Sequence, residues 1–284
     1  MNTIKESSKA SLTVNRTIAY IVCILLALLS ILPFWVMFVN ATRSTPEIQA
    51  GISLLPSSHL MTNLDVLLSK SFDPIRGFIN SFIVSGSTTI LAVYFSSLTA
   101  YAIVAYNWKM RQPFFTFIMA VMLIPTQASA IGFYQFMYQL EWTNSFLPLI
   151  LPAIASPAIV FFMRQYLLGT LSMEMVEASR IDGAGEFFTF NRIVLPIMLP
   201  AMAVQAIFTF VGSWNNLFMP LILLTQKENY TLPIMVSLLR GDIYRTEFGS
   251  IYLGLSLTIL PLIVVYFLLS RYIISGVALG GIKE

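Results

Sequence analysis

Charge is scarce in this chain. Only 16 Lys and Arg and 13 Asp and Glu are spread over 284 residues, or 10%, against about 25% in ordinary soluble domains. A water-facing surface needs far more than that, which excludes a cytosolic enzyme. Cysteine occurs once, as Cys23. It has no intramolecular partner, so a secreted disulfide scaffold is excluded, and its place in an apolar run reads as a small buried apolar residue. Histidine also occurs once, as His59. With no Cys or second His nearby it does not make a zinc site, so no metal is expected. No G-x-x-x-x-G-K-[ST] loop is present to cradle ATP phosphates. Apolar residues are what the chain has in abundance. They make up 57% of it, and mean hydropathy is +0.80. This excludes a disordered chain and predicts a polytopic membrane protein. The net charge of +3 sits in short connectors, which fits membrane topology and not nucleic acid.

A bilayer core about 30 Å thick takes about 20 apolar residues as a helix. Charge-free gaps locate six such spans: Thr17–Val39, Phe78–Val104, Phe114–Tyr138, Asn144–Phe162 (with a possible extension to Leu168), Val194–Leu224 and Ile251–Ser270. They are too long and too uniformly apolar to be barrel strands. The first exceeds a signal-peptide core, and no small-x-small site follows Val39, so it is read as a retained helix. Six spans put both termini on one side. With that side cytoplasmic, ten Lys and Arg lie inside and six outside. The six fall in two long loops, where the positive-inside rule is weakest. Both termini are therefore expected in the cytoplasm. The fold class predicted is all-α: a polytopic membrane helical bundle of six transmembrane helices. Residues 1–16 form a polar cytoplasmic tail, expected to be poorly ordered, and 17–284 form the membrane domain.

No carboxylate, Lys, Arg or His falls in the middle of any span. Ion-coupled transporters usually need such groups, and no catalytic constellation appears either. Energy for active transport would come from a partner.

The connector at 169–196 stands apart by its charge, with Glu174, Glu177, Arg180, Asp182, Glu186 and Arg192. Ser172 suits a helix N-cap with Glu174 in the first turn. Gly183 permits a turn. A second short helix is expected from about Gly185, with Phe187, Phe188 and Phe190 as its apolar groups. The pattern suits an interfacial amphipathic helix or a docking helix for a soluble partner.

The spacing in this connector resembles the EAA motif of ABC importer permeases, which is E-A-A, three residues, Gly, nine residues, I-x-L-P. Here it reads Glu177-Ala178-Ser179, Gly183, and Ile193-Val194-Leu195-Pro196, with Asp182-Gly183-Ala184 as the D-G-A signature. Ser179 replaces the second Ala, a small-for-small change. Ser213-Trp214-Asn215-Asn216 with Pro220-Leu221 is similar to the W-N-x-x-x-x-P-L run of sugar importer permeases. Asn80-Ser81 and the tail Ala278-Leu279-Gly280-Gly281-Ile282-Lys283 are similar to the maltose-type second permease subunit.

The resemblance implies a type I ABC importer permease fold with no ATPase of its own, in a bacterial or archaeal plasma membrane. It implies a second permease subunit, two ATP-binding subunits carrying ATP and magnesium, and an extracytoplasmic sugar-binding protein. The chain itself would hold no cofactor and bind no nucleic acid. Glu177, Ala178, Ser179, Asp182, Gly183 and Ala184 would lie at the ATPase interface, and the loops Asn40–Gly77 and Thr225–Ser250 would receive the binding protein. Leu232–Leu239 reads as a short interfacial helix or a docking element. Trp214, Asn215 and Asn216 suit a sugar pathway, although the same side chains also serve helix packing. An ion-coupled secondary transporter or facilitator is the alternative, and a membrane enzyme a more distant one.

Overall fold

A computed structural model describes residues 2–69, 72–125, 127–239 and 247–280; for 2–15 and 269–280 it describes only the backbone. The end of the tail resemblance, Gly281–Lys283, lies outside the described residues, as do Lys70, Arg240 and Arg245 of the charge count. The regular structure among the described residues is helical, with no strand. The chain forms two compact units: residues 1–72 with 239–257, and residues 73–238 with 258–284.

In the first unit, α1 (Asn2–Asn40) begins well before the predicted span, so the backbone of the expected tail is helical. Its apolar stretch Arg16–Asn40 is long enough to cross a membrane. Cys23 is exposed on it; the predicted burial does not hold, because residues 16–35 of α1 are exposed on every side. Helices α2 (Thr45–Gln49) and α3 (Leu60–Ser69) follow. Arg43 is buried, donating to Asn40 Oδ1 (3.2 Å) and to the carbonyls of Gly51 (3.0 Å) and Glu47. The Asn63 amide donates to the carbonyls of Ala41 (2.9 Å) and Arg43 (3.0 Å). Gly249 sits so close that a Cβ there would stand 2.4 Å from both the Arg43 carbonyl and the Asn63 side chain.

The second unit is built on α4 (Pro74–Ala105), which packs against α8 (Pro157–Thr170) and α11 (Leu195–Trp214). Its buried face carries Ser81, Ser85, Ala92, Ser96, Ser97 and Ala100. Small residues let helix backbones approach closely where lipid supplies no hydrophobic drive. The core continues through Met163, Leu167, Val176, Phe190, Val194 and Met198.

Among the described residues, five helical segments are long and apolar enough to cross a membrane: Arg16–Asn40, Pro74–Ala105, Leu147–Thr170, Glu186–Trp214 and Phe248–Leu268. They match the first, second, fourth, fifth and sixth predicted spans. The third is broken into α5 (Arg111–Val121) and α6 (Ala130–Gln139). Pro125 lies in the break, where its missing N–H cannot serve a helix. The fourth contains α7 (Leu147–Ile150), a 3₁₀ turn at Leu151–Ile154, and α8. The fifth ends at Trp214 and not at Leu224; after Asn215 and Asn216 a separate α12 (Phe218–Leu223) begins. The last helix is α14 (Phe248–Gly280).

Candidate functional site: a charged helical hairpin and a cleft

The charged connector folds as a helical hairpin. Extended residues Leu171 and Ser172 lead into α9 (Met173–Ile181). Ser172 holds the N-cap position without a side-chain hydrogen bond. The helix closes when Asp182 N donates to Ala178 O (2.9 Å) and Ala184 N to Ser179 O (3.0 Å). Between them Gly183 has φ +81°, the left-handed conformation that glycine adopts without a Cβ penalty. Gly185 then precedes the short α10 (Glu186–Thr189). A π-helical turn, Phe190–Val194, joins it to α11, with Leu195 N reaching back to Phe190 O. Pro196 follows, with no N–H to continue the ladder.

The motif residues divide by position. Glu177, Ala178, Asp182 and Gly183 are exposed, and Ala184 is half-buried. Ser179 is buried instead, its hydroxyl 2.7 Å from the Thr189 hydroxyl. It joins the two arms of the hairpin, so the one departure from the family pattern serves an internal contact. The three phenylalanines divide as well: Phe187 and Phe188 are exposed, whereas Phe190 is fully buried. Ile181 is 86% exposed on the same turn, so the loop presents apolar and acidic groups together.

Sequence reasoning missed how the hairpin is held. Arg180 Nε pairs with Glu186 Oε1 at 2.7 Å, and the Tyr101 hydroxyl donates to Glu186 Oε2 at 3.2 Å. The Arg180 guanidinium stands 5.3 Å from the Tyr106 ring centre. Hydrogen bonding to Glu186 pushes the Arg180 pKa further up, so its charge is fixed. Burial, with the Glu186 carboxylate adding to it, pushes the Tyr106 phenol up. The only advance signal was the opposite charge of Arg180 and Glu186 on either side of the turn; nothing local pointed to Tyr101.

A cleft of about 640 Å³ opens where α5 and α6 break, lined by Ile124, Gln127, Ser129, Phe133, Pro152, Asn216 and Met219 among others. Irregular backbone at membrane depth is tolerated where it lines a cavity. The predicted triplet splits here. Asn215 and Asn216 are exposed, and Asn216 lines the cleft, its Oδ1 accepting from Met219 N at 3.4 Å. Trp214 does not line it. Of the two roles left open for it, packing is the one its surroundings match: the indole is 1% exposed, stacks on Phe210, meets Phe78 edge-on, and donates to Thr258 O at 3.0 Å. Its single polar atom is satisfied within the helix packing.

On the loop bearing α13 (Leu232–Leu238), Asn80 donates to the carbonyls of Glu228 (2.8 Å) and Tyr230 (3.0 Å), and Ser81 Oγ accepts from Leu232 N (2.8 Å). The Asn80-Ser81 pair thus latches α13 onto α4, and four residues of α13 are buried. Asn144, at φ +59°, is a second unforeseen hub: its Oδ1 accepts from Thr225 N and Gln226 N. Among the described residues no cluster of His, Cys, Asp and Glu is suited to a metal.

Comparison with known proteins gives a consistent result. The family model described as binding-protein-dependent transport system inner membrane component matches residues 92–278. The chain is 33% identical to the arabinooligosaccharides transport system permease protein AraQ of Halalkalibacterium halodurans, over 91% of this chain and 93% of that one. It is 30% identical to the lactose transport system permease protein LacG of Rhizobium radiobacter, over 94% and 96% of the two chains. It is also 30% identical to the sn-glycerol-3-phosphate transport system permease protein UgpE of Pectobacterium atrosepticum, over 90% and 93%. A crystal structure of a bacterial ABC transporter involved in the import of the acidic polysaccharide alginate shares the fold, with a TM-score of 0.77 at 19% identity, covering 90% of this chain and 95% of that one. The chain belongs to the binding-protein-dependent transport system inner membrane components, as a multi-pass plasma-membrane protein of that family.

Proposed function

We propose that this chain is one of two permease subunits, the other a different chain, through which an ATP-driven importer passes a sugar or oligosaccharide. Two ATP-binding subunits carry ATP and magnesium, an extracytoplasmic binding protein delivers the solute, and this chain performs no catalysis. The observation that carries the reading is the hairpin turned at Gly183, which offers Glu177, Ala178 and Asp182 to a partner. Small residues permit close approach, and carboxylates pair with basic groups. The exposed Ile181, Phe187 and Phe188 supply an apolar centre for that contact. The relatives' names supply the substrate class.

In this reading α5 and α6 form one broken crossing. At 1.5 Å per residue, their 11 and 10 residues sum to roughly the thickness of a bilayer core. That restores six crossings, with both termini and the hairpin in the cytoplasm. The cleft at the break, with Asn216 and Asn215 at its edge, lies on the solute path; Trp214 braces the helix that carries them.

The test is uptake into proteoliposomes holding the complete importer, with a radiolabelled arabino-oligosaccharide as probe. Uptake that needs ATP and is lost in Gly183→Val and Glu177→Lys at normal abundance supports the reading. Uptake that survives ATP depletion and follows an ion gradient would overturn it in favour of a secondary transporter.

A further inference from the structure

The hairpin has two covalent connections to the membrane helices, and neither is a regular helix. Leu171 and Ser172 are extended. On the other side lie the π turn Phe190–Val194 and then Pro196. A widened turn lacking one helical hydrogen bond is a common place for a helix to bend. A push on the hairpin would be absorbed at these joints unless something else carries it.

That other connection runs to α4. Glu186 takes Arg180 on one carboxylate oxygen (2.7 Å) and the Tyr101 hydroxyl on the other (3.2 Å). Phe190 fills the space beyond, its ring centre 5.6 Å from that of Tyr101 and 5.8 Å from that of Tyr94. At the far end the Tyr94 hydroxyl donates to Asn191 Oδ1 (3.2 Å). Two polar ties with an apolar bearing between them fix position and angle together. Hydrogen bonds to a charged group are the stronger kind.

We propose that Glu186 is a positioning residue for energy coupling: by holding Arg180 and Tyr101 together it makes the hairpin and α4 one rigid lever, so that movement of the ATPase reaches α4 directly and not through the joint with α11. The proposal rests on the importer reading above. Tyr101 and Glu186 lie 85 residues apart and serve the coupling without touching nucleotide or solute.

The test uses the complete importer with spin labels at Met175→Cys on α9 and Ile90→Cys on α4, both exposed, in a Cys23→Ser background. Distances between the labels are compared in nucleotide-free and MgATP–vanadate-trapped states. In the otherwise unaltered lever the distance is the same in both states. In Tyr101→Phe, which removes only the hydroxyl, and in Glu186→Gln, the trapped state shows a shifted and broadened distribution, while ATP-binding subunits still co-purify. Arg180→Lys, which keeps the charge, behaves between the two. An unshifted distance in both Tyr101→Phe and Glu186→Gln, with nucleotide demonstrably trapped, would overturn the lever. Failure of the parent complex to retain any ATP-binding subunit would overturn the importer reading itself, and the lever with it.

Discussion

Ser179 Oγ and Thr189 Oγ1 lie 2.7 Å apart, both out of reach of water, and tie the first helix of the hairpin to the second. Removing one hydroxyl leaves the other buried and unpaired, at a cost of about 1–2 kcal/mol. Ser179→Ala and Thr189→Val should each lower the thermal midpoint of the purified complex, and the double variant should cost less than the sum. Thermal unfolding followed by intrinsic fluorescence measures this; strict additivity would show that the two hydroxyls do not interact.

The two tight glycines should rank differently. At Gly249 an added Cβ meets backbone carbonyl and a fixed amide at 2.4 Å, whereas at Gly77 the nearest atom is the Met235 sulfur at 2.8 Å. A thioether swings aside easily; a carbonyl held by Asn63 does not. Gly249→Ala is expected to expose residues 41–69 to protease, and Gly77→Ala to leave the α13 loop nearly as resistant as before. Limited proteolysis of the two variants side by side gives the order.

Glu47 gives a pH dependence. The Ser44 backbone N–H, 2.8 Å from its carboxylate, lowers its pKa most, opposed by partial desolvation and assisted by the Ser57 hydroxyl and by His59. A carboxyl whose folded pKa lies below its unfolded value binds fewer protons when folded. Its contribution is therefore complete above about pH 4.3 and is lost as pH falls through the folded value. Amide protection in residues 41–69, corrected for the intrinsic exchange rate, should fall in that acid window. Glu47→Gln should show less protection at neutral pH and little further loss on acidification.

The triplet at the end of α11 should divide by readout. Trp214→Ala removes a buried, stacked indole and should cost about 3 kcal/mol or more, lowering abundance. Asn216→Ala should leave abundance unchanged and raise the KM for solute uptake, since its amide sits at the cleft. Equal loss of abundance in both would contradict this division.

What the sequence made legible follows the range of the interactions. Charge-free gaps marked five spans because desolvating a charge is costly wherever it occurs in a bilayer. The third gap held Pro125, Gln127 and Ser129 in its middle, which was the signal of a break, but a gap defined only by the absence of charge passes over uncharged breakers. Asn215-Asn216 ended the fifth helix for a similar local reason. The turn at Gly183 was readable because it is local, and the Asn80-Ser81 pair was noticed without its purpose. The tie between Tyr101 and Glu186, the withdrawal of Trp214 and the burial of Phe190 beside two exposed phenylalanines depend on tertiary packing, and no spacing announces them.

The central claim is that the hairpin turned at Gly183 is where the ATP-binding partner engages. The chain has one cysteine, Cys23, so Cys23→Ser gives a background for placing single photo-crosslinkers. Ala178→Cys, exposed on the hairpin, should form a covalent adduct with an ATP-binding subunit in native membranes, and Ile90→Cys on α4 should not. Absence of an adduct from position 178, in membranes where the complex hydrolyses ATP, would contradict the account.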